Sequence, residues 1–91
     1  MEEKIFCEGK YIIKFHPPTD KGKFFWAIEI RKCDADNEVT FVFIKIRKLS
    51  PKKMKFIATF IGEGHSSEEV RRFVKDRFPW NKVWISKSKS N

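Results

Sequence analysis

Phe41, Phe43, Lys45 and Arg47 stand at every second position of one run, FVFIKIR. In an extended chain alternate residues share a face, so this spacing sets two rings and two cations side by side. Flat rings stack on nucleic-acid bases, and fixed cations hold phosphates. Stacking is worth about 1–3 kcal/mol per base, and each neutralised phosphate makes the affinity depend on salt. Lys48, Lys52, Lys53 and Lys55 continue the basic run, and Arg31 joins the same face from a neighbouring strand. The competing reading makes the phenylalanines core or dimer residues and the cations a solvated rim.

Other groups offer less chemistry. GEGHSSEE, residues 62–69, has two glycines ahead of a helix start, which would suit a phosphate. Glu63, Glu68 and Glu69 would repel one, and the motif lacks the lysine of a phosphate loop. Arg71, Arg72, Lys75 and Arg77 read as the solvated side of a helix. Asp34, Asp36 and Glu38 resemble the start of a calcium loop, but Val39 stands where glycine is needed. Cys7, His16, Cys33 and His65 are 9, 17 and 32 residues apart, which matches no zinc pattern. His16 and His65 are the available bases, and no neighbour in sequence orients either. No metal, cofactor or catalytic set is therefore expected, and the chain reads as a binding protein rather than an enzyme.

Composition sets the frame. The chain has 91 residues, enough for one small domain, and 41% are hydrophobic, enough for a core. The formal charge is +8 and is unevenly placed. Residues 1–38 hold seven basic and eight acidic residues, whereas residues 39–91 hold thirteen basic and four acidic. Such asymmetry points to an anionic partner, nucleic acid or an acidic protein surface. The opening MEEKIFCEGK is acidic and lacks the apolar core of a secretion signal, so a cytoplasmic chain with two buried free thiols is expected.

The elements that must position these residues follow from period and turn chemistry. Residues 5–16 read as a strand with a bulge or tight turn at Glu8-Gly9, and residues 24–32 as a second strand. Residues 39–48 read as a third strand, LSPKK as a turn, and residues 54–61 as a fourth strand. Ser66-Ser67-Glu68-Glu69 is a capping box opening a helix whose apolar stripe is Val70, Phe73, Val74 and Phe78. Pro79 stops it. Trp80, Val83, Trp84 and Ile85 are a fifth strand or a packed extended segment, and SKSKSN, residues 86–91, a frayed basic tail.

The expected fold is α+β, over residues 1–85: a four-stranded antiparallel meander, one helix on one face, and an optional fifth strand. In this arrangement Trp26, Ile28, Ile30, Val42, Ile44 and Ile46 face the helix, while Phe25, Phe41 and Phe43 point away. Pairing Ile46 with Phe56 would place Arg47 opposite Lys55, a like-charge pair that an anion would relieve. The architecture resembles small single-strand-binding and RNA-binding modules in general, with no shared motif. It does not meet the RNA-recognition-motif order, because no helix is predicted between the first two long strands.

A second copy of the chain, the Trp80–Ile85 segment folded back, or single-stranded DNA or RNA would fill the spare face. The absence of a helix suited to the major groove turns the reading toward single strands. The alternative is a regulatory or inhibitory interaction module, steered to an acidic protein by the basic rim.

Overall fold

The computed structural model describes residues 3–19, 24–34 and 38–89. Five strands form one antiparallel sheet in the order of the sequence: β1 (Lys4–Glu8), β2 (Tyr11–His16), β3 (Trp26–Lys32), β4 (Glu38–Ile44) and β5 (Val83–Lys89). Two helices, α1 (Pro51–Gly62) and α2 (Ser67–Arg77), lie between β4 and β5 in the chain. The α+β class and the antiparallel meander are as expected; the number of helices and the membership of the sheet differ.

The largest difference is the segment expected to be the fourth strand. Residues 54–61 are helical. Met54, Phe56, Ala58 and Phe60 alternate with polar and apolar neighbours, which suggests a strand. A second period is superposed on that one: Met54, Ile57, Ala58 and Ile61 stand at i, i+3, i+4 and i+7, and these four are the residues α1 buries. The expected turn at Ser50-Pro51 is instead a helix start. The Ser50 side chain accepts a hydrogen bond from the Lys53 amide, and Pro51 takes the first helical position, where its missing N–H costs nothing. The pairing of Ile46 with Phe56 and of Arg47 with Lys55 therefore does not exist, and β4 ends at Ile44.

The expected strand over residues 5–16 is two strands. Gly9 and Lys10 form the turn between them, with Glu8 opposite Tyr11. Gly9 has φ 59°, the positive value that the first central position of a type II′ turn requires. This hairpin abuts the end of α1: a Cβ built on Gly62 would fall 2.5 Å from the Glu8 Cβ.

The capping box is present as expected. Ser66 accepts from the Glu69 amide while the Glu69 carboxylate accepts from the Ser66 amide, at 3.2 and 2.8 Å. The segment after α2 is a strand, paired to β4 with Ile44 opposite Val83 and Phe43 opposite Trp84. Ser86 to Lys89, expected as a frayed tail, continue β5; Ser90 and Asn91 lie outside the described residues.

Both helices pack on one face of the sheet, α1 over β1 and β2, α2 over β4 and β5. The core between the layers joins Ile13, Phe15, Trp26, Ile28, Val42 and Ile44 of the sheet to Met54, Ile57, Ile61, Val70 and Val74 of the helices. Trp26 is buried and donates its indole N–H to the Arg47 carbonyl at 3.4 Å. Both cysteines are exposed, against the expectation of burial. No helix among the described residues is long and apolar enough to cross a membrane.

Candidate nucleic-acid interface

The face of the sheet turned away from the helices has no element over it among the described residues. Strand alternation and register determine what it carries. Phe43 sits between Ala27 and Trp84, Phe41 between Glu29 and Ser86, and Val39 between Arg31 and Ser88. Phe25, just ahead of β3, closes the group. Phe41 and Phe43 are stacked at 5.9 Å, and Phe43 and Trp84 at 5.2 Å, with interplanar angles of 16° and 18°. Phe25 meets Phe43 edge-on at 5.7 Å and Trp84 at 6.0 Å. All four rings are half-buried, so they shield one another and still present surface to solvent.

One end of the sheet concentrates further rings and cations. Ile44 pairs with both Trp26 and Val83, so the residues just beyond these three come together. Phe24 is there, 40% exposed, with the Arg47 guanidinium 4.7 Å from its ring centre. Lys82 lies 5.3 Å from the Trp84 ring. The Lys45 amide donates to the Lys82 carbonyl at 2.9 Å, and the Asn81 side chain donates to the Lys45 carbonyl at 2.7 Å. These bonds carry the β4–β5 ladder one residue further and tie the cation-bearing connector to the strand. Trp80, in the same connection, is 95% exposed.

The other half of the open face is polar. Glu29 is buried between two bases: His16 Nε2 is 2.9 Å from Glu29 Oε1, and Arg31 Nε donates to Glu29 Oε2 at 2.7 Å. His16 Nδ1 is in turn 2.7 Å from Glu3 Oε2. Burial pushes the Glu29 carboxyl up. The hydrogen bonds from Arg31 and His16, with the charge of Lys14, outweigh that and hold it below its ordinary value. Arg31 is thus oriented by Glu29 through its Nε.

The nine residues singled out in the sequence divide. Phe41, Phe43 and Arg31 lie on the open face, and Lys45 directly follows β4 at its edge. Arg47 and Lys48 are in the connector to α1, with Arg47 stacked on Phe24. Lys52, Lys53 and Lys55 are on α1, in the layer on the other side of the sheet, because their segment is a helix and not a hairpin arm. Lys55 there pairs with Glu8 at 2.6 Å. Trp84 and Lys82 belong with the rings and were missed. The signal was available: Trp84 has the opposite parity to Val83 and Ile85, so a fifth strand on β4 necessarily sends it to the open side. His65, considered as a base, is stacked on Phe60 with ring centres 3.7 Å apart, where it packs beside the start of α2.

No family model matches the chain, and neither a curated protein nor a solved structure was found to match it.

Proposed function

We propose that the chain binds single-stranded nucleic acid across the open face of its sheet. The observation that carries this reading is the cluster of Phe25, Phe41, Phe43 and Trp84 on a face that neither described helix covers. A surface of this kind costs free energy in water unless something occupies it. Bases fit it because every base has a flat apolar face, which a single strand leaves open and a duplex hides. Arg47, Lys82 and Lys45 at the aromatic end, with Arg31 and Lys14 at the polar end, would follow the phosphates. The rings are 5.2 and 5.9 Å apart, too close to admit a base between them, so bases would lie on the cluster and not within it. The cations of α1 take no part in this interface.

The test is a titration of labelled oligo-dT, oligo-rU and a duplex of equal length, roughly 15 nucleotides, across a range of salt. The single strands should bind more tightly than the duplex, with affinity falling steeply as salt rises. Trp84→Ala and Phe43→Ala should each weaken binding by about 1–3 kcal/mol, roughly 5- to 150-fold. Absence of binding at low salt, or a duplex bound as tightly as the single strands, overturns the proposal.

A further inference from the structure

The helix layer carries a second surface that the open sheet face does not use. Two depressions adjoin on it, sharing Lys53 and Phe56. One, about 620 Å³, is lined by Lys52, Lys53, Lys55, Phe56 and Thr59. The other, about 170 Å³, runs between the helices beside Ile57, Arg77 and Phe78. Phe56 is the floor they share, and it is 54% exposed. Among the described residues no carboxylate lines either depression.

The charge around this floor is of one sign. The Arg77 guanidinium is 4.5 Å from the Phe56 ring and 3.6 Å from the Phe73 ring, and Lys53 is 4.6 Å from the Phe78 ring. Lys55 is partnered by Glu8, whereas among the described residues neither Lys52 nor Lys53 makes an ion pair. Lys52 and Lys53 stand in the first turn of α1, which contains no acid. Cations there oppose the helix dipole, so local helix chemistry gives no reason for them.

We propose that this groove docks an acidic protein segment that presents an aliphatic or aromatic side chain to Phe56. Charge complementarity selects the acid: carboxylates would meet Lys52, Lys53 and Arg77, where they also relieve the repulsion among them. The apolar floor selects a protein over a phosphate backbone. Arg77 already lies over the Phe56 ring and Phe73 meets that ring at 78°, so it suits side-chain contact better than base stacking. The inference is independent of the reading of the sheet face, since it uses the opposite layer.

The probe is a labelled amphipathic peptide of roughly 16 residues, about four helical turns, with Asp and Glu beside a Leu/Phe stripe. Its control has the same charge with the stripe changed to Ser. At low salt the amphipathic peptide should bind at least about tenfold more tightly than the control, and both Lys52→Glu/Lys53→Glu and Phe56→Ser should weaken it by about tenfold. Trp84→Ala should leave peptide binding unchanged, and unlabelled oligo-dT should not displace the peptide. Melting curves of each variant separate lost binding from lost folding. No binding, equal binding of the control, displacement by oligo-dT, or a loss in Trp84→Ala matching that in Phe56→Ser overturns the proposal. Oligo-dT binding that fails while the peptide still binds counts against the sheet-face proposal alone.

Discussion

Glu29 is a buried carboxylate on the open face, and its protonation is linked to folding. Its folded-state value is depressed below the ordinary 4.5. A depressed carboxylate stabilises the fold at pH above its unfolded value, and that contribution is lost as pH falls through the folded value. Urea midpoints of the wild type should therefore drop below about pH 4.5, and the drop should be smaller in Glu29→Gln. Equal slopes in the two proteins would show that the His16–Glu29–Arg31 contacts contribute nothing measurable. At this scale the sequence is legible in part. The alternation that places Phe41 and Phe43 together can be read directly, because side-chain direction in a strand depends on parity alone. The partnering of Glu29 with His16 cannot, because it needs the register Lys14↔Glu29 and His16↔Ala27, which joins residues from different strands.

At the scale of elements, α1 shows how two periods can coexist in one segment. MKFIATFI satisfies a strand pattern through Met54, Phe56, Ala58 and Phe60, and a helix pattern through Met54, Ile57, Ala58 and Ile61. The deciding information lies just upstream, in Ser50 and Pro51, which supply a cap and a preset φ. The capping box at Ser66 was legible for the complementary reason that all its parts sit within four residues. The junction of α1 with the first hairpin gives a prediction. Gly62→Ala places a methyl 2.5 Å from the Glu8 Cβ and 3.1 Å from the Glu8 carbonyl oxygen, so backbone must move. It should destabilise the protein by about 1–3 kcal/mol in denaturant unfolding. A variant as stable as the wild type would mean that the β1–β2 turn and the end of α1 separate at little cost.

At the scale of the whole molecule, the net charge of +8 is divided between two layers instead of forming one patch. Lys45, Arg47 and Lys82 gather at one end of the sheet, and Lys52, Lys53 and Arg77 on the helices. The sequence shows the excess charge but not this division, since it depends on α1 being a helix. On the proposed reading the sheet face takes one occupant at a time. If nucleic acid is that occupant, light scattering should give the free chain the mass of a monomer, 10.9 kDa. A stable dimer that releases its second copy as oligonucleotide is added would still fit. A dimer that excludes oligonucleotide would give the face to a second copy instead.

The β4–β5 ladder joins residues far apart in the chain, with Ile44 opposite Val83 and two helices between them. Non-local pairings of this kind are slow to form, since loop closure must precede the contacts that reward it. Trp84 enters the aromatic cluster through this ladder. The cluster is therefore complete only when β5 has docked, and while β5 is away β4 is a bare edge carrying Phe41 and Phe43. The strand that finishes the proposed binding face is also the one that keeps an apolar edge from pairing with other chains, so binding competence and resistance to aggregation are gained in the same folding step.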